Sequence, residues 1–530
     1  MLSYFYLSLV PVIIYFIIKL KKAIHMLQQN WYDDDNRYLK WIIHNPYKVF
    51  LEIDMFYFII IATIFVPVKT GMIIFGAFYL ACIMVSMKYK QKEQVKKPLV
   101  VTKRVKRLMV TIGLLYLIPI ILMTITFNIN MIGYYYLIVG TLTYLTYFLV
   151  MVANVFNRPV ERYVFNHFRT SAIKKIKNMS NLDVIGITGS YGKTSSKNIL
   201  NDILSVKFDV LPTPKNYNTT YGLILSINNY LDKFCEVFIA EMGAFKMGEI
   251  KELCDLVKPK YGILTTIGTA HLESFGSMEN IQKGKFELIE SLPEDGIAVL
   301  NKDDELQVNY QIQSKCKKVW IGIDNKEADL YATNIKMSHK GMTFDCVFKG
   351  DQNKYNFSTK LLGRPNVYNI LAGIALGREL GINIEQLKIG VRKVTSIEHR
   401  LELKKYGNIN IIDDAYNSNP VGSKMALDVL DLMPGKKIIV TPGMIELGDK
   451  QYELNMKFGE YIADVCDEVI LVGEEQTKPI YDGLMLKKYN PKRIHIINDV
   501  KIAFELMQQL RDKETYVLLE NDLPDIFNEK

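Results

Sequence analysis

Residues 108–157 carry no charged side chain. They read LMVTIGLLYLIPIILMTITF, a short NINMIG break, then YYYLIVGTLTYLTYFLVMVANVF. A bilayer core about 30 Å thick is crossed by a helix of about 20 apolar residues, so this stretch is long enough for two spans. Further apolar runs precede it at about 2–18, 55–68 and 71–87, the middle one short enough to pair tightly with its successor. A single such run is compatible with a buried core helix; five in succession are not. A helical membrane region of about five spans is therefore expected over residues 1–157.

Loop charge sets the direction of those spans. The 19–54 loop holds Lys19, Lys21, Lys22, Arg37, Lys40 and Lys48. The 88–107 loop is denser, with Lys88, Lys90, Lys92, Lys96, Lys97, Lys103, Arg104, Lys106 and Arg107. The alternate connections carry only Lys69. The positive-inside rule then places the N-terminus outside and everything after the fifth span in the cytosol. No basic stretch precedes the first run, unlike a cleaved signal peptide. The expectation is a multi-pass protein of the cell membrane with its remaining domains on the cytoplasmic side. The apolar runs contain no charge, so no ion or proton path is expected.

The net charge of +9 hides an asymmetry: residues 1–180 carry +15, leaving −6 for the rest. The excess belongs to the membrane loops, where it chiefly sets topology, and to a basic linker at 158–180; the lipid bilayer is an expected partner of the protein. No nucleic acid partner is expected. Six cysteines never occur as C-x-x-C, against a zinc ribbon or a disulfide scaffold.

From Asn181 the pattern becomes short β-branched runs alternating with amphipathic stretches, the mark of parallel α/β domains. Candidate strands are VIGIT, FIAEMG, YGILTTIG, IAVLN, NINIIDD, KKIIVTPG, EVILVG, RIHIIN and YVLLEND. A seam near 390–400 divides them into a central domain, 181–395, and a smaller Rossmann-like C-terminal domain, 396–530.

The sharpest chemical signal is the run Gly186-Ile-Thr-Gly-Ser-Tyr-Gly-Lys-Thr-Ser195, with a strand entering and the helical SSKNILNDIL leaving. Backbone N–H groups of such a loop close around phosphate oxygens, and the helix N-terminus adds a favourable dipole. Thr188, Gly189, Ser190, Tyr191, Gly192, Lys193, Thr194 and Ser195 are the expected nucleotide-binding residues. Lys193 would reach the β/γ-phosphates and Thr194 would ligate Mg²⁺. The spacing departs from the usual G-x-x-x-x-G-K-[ST], since Gly186 lies six residues before Gly192. Glu241, His271 and Lys285 follow later strands, whose C-terminal ends face the ligand crevice in such sheets. Taken singly, they read as a surface carboxylate, a satisfied histidine and a solvated lysine.

Together the segments carry more. TGSYGKTS, EMGAFKMGEIKELCDLVKPKYGILTTIGTAHLESFGSMENIQKGKFELIE, LLGRPNVYNILAGIALG, HRLE, IIDDAYNSNP and MIELG stand in an order that resembles the Mur ligases. Within that family the likeness is to the subgroup that adds D-alanyl-D-alanine to a peptidoglycan precursor. It covers about 180–520.

The resemblance implies an ATP-dependent amide ligase with a P-loop central domain. ATP phosphorylates a muropeptide-type carboxylate acceptor, and an amine donor attacks the acyl phosphate. It implies Glu241 and His271 as magnesium ligands and Lys285 as a lysine carbamylated by CO₂ into a further ligand. It implies Asn369 at adenine, Arg400 and Asp414 meeting ATP on domain closure, and Asn218, Thr219 and Thr220 in the loop that meets the acceptor. Lys193, His271 and Lys285 would be the catalytic set.

The departures bear on the substrates. Membrane spans occupy the place of the family's N-terminal uridine-binding domain. Pro365 stands where a histidine is usual, Asn455 replaces a subgroup histidine, and LLENDLPD replaces a lysine-glycine-serine segment. The acceptor is therefore expected to be nucleotide-linked or lipid-linked, and the donor an amino acid or a dipeptide. A capsule-type polymer ligase of the poly-γ-glutamate kind, and a scaffold without catalysis, are the alternatives.

Overall fold

A computed structural model describes residues 2–64, 66–90, 98–126, 128–396, 398–407, 409–415, 418–445 and 447–521. Lys92, Lys96 and Lys97, part of the IIDDAYNSNP and MIELG motifs, and the second half of LLENDLPD lie outside the described residues. The chain forms two compact units, Met1–His167 and Phe168–Lys530.

The first unit is helical. Its long helices are Leu2–Gln29, Val68–Lys90 and Lys103–Ile125, followed by Ile132–Tyr144 and Thr146–Lys177, which meet at a bend of 74°. The interior is aromatic: Phe16 stacks on Tyr116 at 3.8 Å between ring centroids and Phe75 on Tyr136 at 4.0 Å. The outside is apolar as well, with Leu7, Ile73, Met84, Val110 and Ile125 largely exposed. Helices apolar all round need a lipid or protein environment.

Among the described residues, three of these helices are long and apolar enough to cross a membrane, or four if the bent pair is one span, where the sequence suggests about five. The difference lies in the 55–68 run, which folds as a 3₁₀-helix over Ile53–Ile64. The apolar runs carry no charge, but the helices are longer than the runs. The first helix continues beyond its apolar run and carries Lys19 into the interior. There Lys19 pairs with Asp54, each about 1% exposed, and donates to the Tyr144 carbonyl at 3.2 Å. The segment read as a basic linker is helical to Lys177.

The second unit is α/β with two sheets. The first contains β1 (Asp183–Thr188), β2 (Val210–Pro212), β3 (Val237–Glu241), β4 (Tyr261–Leu264), β5 (Ile297–Asn301), β6 (Lys317–Gly322), β7 (Leu330–Ser338), β8 (Gly341–Phe348) and β9 (Lys354–Thr359). Their order is β2-β3-β1-β4-β5-β6-β7-β8-β9, parallel through β7 and antiparallel from β7 to β9. The parallel core is covered on both faces, which explains its continuous apolar runs. Ile185, Ile187 and Ile239 pack with Ile203 of helix Lys193–Leu204 and Leu371 of helix Arg364–Glu379.

The second sheet holds β10 (Glu402–Tyr406), β11 (Ile409–Asp414), β12 (Lys436–Thr441), β13 (Glu468–Val472), β14 (Ile494–Ile497) and β15 (Thr515–Glu520). The order is β10-β11-β15-β12-β13-β14, all parallel except the β10 edge. Of the residues singled out from sequence, Thr188 ends β1, Glu241 ends β3 and Asp414 ends β11.

Candidate active site

β1 ends at Thr188 and the chain turns through Gly189–Gly192 into helix Lys193–Leu204. Two positions require glycine. Gly189 has φ 150°, and a Cβ there would come within 1.9 Å of Thr265 Oγ1; Gly192 has φ 82°. The loop is bolted to the segment after β4. Ser190 N donates to Thr266 O at 2.7 Å, Ser190 Oγ to Gly268 O at 2.9 Å, and Thr265 Oγ1 to Tyr191 O at 2.6 Å. Lys193 Nζ donates to the Gly189 and Ser190 carbonyls at 2.7 and 3.2 Å. A Cβ at Gly192 would stand 3.6 Å from Asn369 Oδ1, so the buried Asn369 adjoins the loop.

Glu241, the last residue of β3, is buried beside this turn. Its Oε1 accepts from Thr194 Oγ1 at 3.0 Å and from Asn218 Nδ2 at 3.3 Å. Asn218 O in turn accepts from Gly243 N at 2.7 Å. The other two residues expected in the acceptor loop have local structural partners. Thr219 caps helix Thr220–Asn229 through Gly222 N, and Thr220 donates to Glu252 at 3.1 Å.

His271 lies in the left-handed region at φ 64° and packs its ring on Phe245, centroids 4.4 Å apart. Lys285 is fully buried on helix Met278–Glu290. Its ammonium faces the Ala244 carbonyl at 3.4 Å and the Phe275 ring at 5.3 Å.

The electrostatics bind these groups into one site. Burial draws the Lys193 ammonium down to about 8, with Arg400 adding to the effect and Glu241 opposing it. Burial likewise lowers Lys285 to about 7, helped by Lys193 and opposed by Glu249 and Glu287. The His271 imidazole is lowered by burial and by the charges of Lys285 and Lys193. Cations crowded at a helix N-terminus make a field suited to a polyphosphate.

Just before β10, Arg400 acts electrostatically on both Lys193 and Asp414. Asp414 Oδ1 accepts from Leu401 N at 3.1 Å, and burial raises its carboxyl to about 6. Nearby, Asp413 gathers His399 and Lys404, both at 2.8 Å.

A divalent cation fits part of this arrangement. Thr194 and Glu241 offer hard oxygen donors 3.0 Å apart, and an octahedral Mg²⁺ with bonds of about 2.0–2.1 Å separates neighbouring ligands by about 3 Å. Among the described residues, no three His, Cys, Asp or Glu side chains gather as a metal site. Such a site is completed by substrate phosphates rather than by a protein cage.

Sequence reading missed Lys197, whose ammonium lies 3.0 Å from Glu241 Oε2. Its position one helical turn after Lys193 was the available signal. It also missed Thr213, whose Oγ1 accepts from Glu241 N at 3.2 Å.

Comparison with known proteins decides the family. Residues 187–377 match the Mur ligase middle domain, and 399–519 match the Mur ligase glutamate ligase domain. The chain is 34% identical to the UDP-N-acetylmuramoyl-tripeptide–D-alanyl-D-alanine ligase of Bacillus subtilis, over 63% of this chain and 72% of that one. It belongs to the Mur ligase family. The Escherichia coli ligase of the same name is 32% identical over 55% of this chain, and the match spans 65% of that relative's length. The MurF ligase of Thermotoga maritima, crystallised with ADP, superposes with a TM-score of 0.58 at 27% identity, covering 67% of this chain and 80% of that one. In this Mur ligase the matched domains lie C-terminal to the helical unit, and the phosphate loop, Glu241, His271 and Lys285 all fall within the middle-domain match.

Proposed function

We propose that this Mur ligase joins an amine donor of the D-alanyl-D-alanine type to a muropeptide-type carboxylate acceptor at the membrane, with ATP as energy source. One observation carries the reading: Glu241 Oε1 accepts from both Thr194 and Asn218, so the phosphate-loop helix and the expected acceptor loop meet on one carboxylate. Relatives in this family named for the same reaction support it.

A carboxylate is a poor electrophile until it carries a leaving group. An acceptor oxygen attacks the γ-phosphorus and ADP departs; the donor nitrogen then attacks the acyl carbon and phosphate departs, leaving an amide. Lys193, which lies on the Gly189 and Ser190 carbonyls, would exchange them for phosphate oxygens and offset the charge gathering there. Asn218 would orient the acceptor carboxylate. Arg400, just before β10, and Asp414, at the end of β11, would complete the nucleotide site as 181–395 and 396–530 close as separate domains. Thr194 and Glu241 would hold Mg²⁺, with His271 and a carbamylated Lys285 further round the site. When bound, the ion would neutralise charge on the transferring phosphoryl group.

Lys285 suits carbamylation. Only a neutral amine adds CO₂, releasing one proton, and burial makes that form abundant near neutral pH.

We further propose that the helical unit anchors the enzyme, with the catalytic domains on the cytoplasmic side. Exposed apolar faces on its long helices and the basic loops of the sequence support this. Anchoring would place the enzyme beside a lipid-linked acceptor.

The test is ATP-dependent phosphate release by the full chain in lipid nanodiscs. Lipid-linked and uridine-diphosphate-linked muramoyl tripeptides would be compared, each with D-alanyl-D-alanine and with an amino-acid panel. Turnover on the lipid-linked acceptor is expected; turnover only on the soluble one rejects the membrane acceptor, and none on either rejects the ligase reading.

A further inference from the structure

Lys197 is buried, 2% exposed, one helical turn beyond Lys193. Its ammonium pairs with Glu241 Oε2 at 3.0 Å and donates to the Lys215 carbonyl. Lys215 has φ 50° and stands three residues before Asn218. The remaining contacts of Glu241 run to the same places. Thr213 Oγ1 accepts from its backbone N–H, Asn218 Nδ2 donates to Oε1, and Thr194 Oγ1 donates to that same oxygen. The carboxylate is thus held between the phosphate-loop helix on one side and residues 213–218 on the other.

A buried lysine–carboxylate pair is a costly way to fill space. Desolvation of two charges offsets much of their attraction, and apolar side chains of similar volume are often as stable or more so. The geometry gives the pair a use. The ion pair draws Oε2 to the Lys197 side, and Oε1 lies on the Thr194 side, 3.0 Å from its hydroxyl. The Lys215 carbonyl on the same ammonium ties that orientation to the loop carrying Asn218.

We propose that Lys197 is a positioning residue. It orients Glu241 for the divalent cation and links cation binding to the state of the 213–218 loop, so that acceptor and cation strengthen each other's binding. The proposal rests on the reading of Glu241 as a magnesium ligand. Linkage makes the effect reciprocal: whatever factor the acceptor adds to cation affinity, the cation adds to acceptor affinity.

The experiment measures Mn²⁺ binding by electron paramagnetic resonance on the full chain in nanodiscs. The β,γ-imido analogue of ATP is present, and the muramoyl-tripeptide acceptor is added or withheld. Wild type, Lys197→Met and Lys197→Arg are compared. Lys197→Met is expected to weaken Mn²⁺ binding about tenfold or more, the usual consequence of losing a group that orients a metal ligand. It should also abolish the tightening of Mn²⁺ by acceptor while leaving metal-free binding of the analogue unchanged. Lys197→Arg retains the charge in a different shape; it should recover part of the Mn²⁺ affinity but not the linkage. That arm stands if Lys197→Met fails to fold. Wild-type Mn²⁺ affinity and intact linkage in either variant overturn the proposal alone. Wild type that binds no Mn²⁺ with the analogue overturns the metal reading of Glu241, and this inference with it.

Discussion

Thr194 Oγ1 and Glu241 Oε1 lie 3.0 Å apart, one at the start of a helix and the other at the end of a neighbouring strand. The pair joins two elements 47 residues apart in sequence, where adjacent parallel strands deliver their C-terminal ends to one crevice. Lys193 precedes Thr194 at the same helix end. Replacing Lys193 with alanine removes the charge that would meet the transferring phosphoryl group. Phosphate release should fall by about 10²–10³-fold, the range for deleting one preorganised stabilising group. Turnover near wild type in a phosphate-release assay would remove Lys193 from the nucleotide site.

Lys285 makes a separate prediction. Lys285→Ala should lose at least about 100-fold in turnover if its carbamate helps hold the charge at the phosphoryl group. Acetate or formate, entering the space left by the side chain, should restore part of the activity. Labelling with ¹³CO₂ should give a carbamate carbon resonance in wild type and none in the variant. Absence of that resonance in wild type at saturating CO₂ counts against carbamylation.

Glu520 ends β15 fully buried, with Ser418 donating to one carboxylate oxygen at 2.7 Å. Burial, and then the charge of Asp414, push its carboxyl up to about 8. The folded form therefore holds a proton that the unfolded chain releases near pH 4.3. Between about pH 4.3 and 8 the folded state binds more protons, so this group's contribution to stability falls as pH rises through that window. Glu520→Gln, which keeps the shape without the ionisation, should raise the unfolding temperature at pH 8 and leave it little changed at pH 4. An equal shift at both values would contradict this.

Lys19 and Asp54 test the helical unit. Removing one member of a buried pair strands the other charge, at about 3–5 kcal/mol, whereas replacing both with apolar residues is close to neutral. Lys19→Met should therefore destabilise this unit in detergent unfolding, and Lys19→Met with Asp54→Leu should recover most of the loss. Additive losses in the double variant would show that the two side chains act independently.

The geometry of the phosphate-loop segment was legible because its signal is local. Gly189, Gly192, Lys193 and Thr194 sit in one strand-turn-helix segment whose glycines and cation have a direct phosphate reading. Glu241, His271 and Lys285 gained meaning only from the order of their motifs. Lys197 was hidden, since a lysine on an amphipathic helix ordinarily points to water, and only the tertiary fold carries Glu241 over it. The same holds for Lys19 and Asp54, partners 35 residues apart. Strands β7 and β9 escaped because their half-exposed faces carry many polar residues in place of the apolar runs of the parallel core.

The contact between Gly189 and Thr265 reaches beyond conformation. A loop whose first glycine is pressed on a threonine just past β4, and whose serine and tyrosine are held by residues 265–268, is not a portable module. A chimaera that takes residues 188–195 from another ATPase would need residues 265–268 from the same donor. In directed evolution of this enzyme, the two stretches should be diversified as one library.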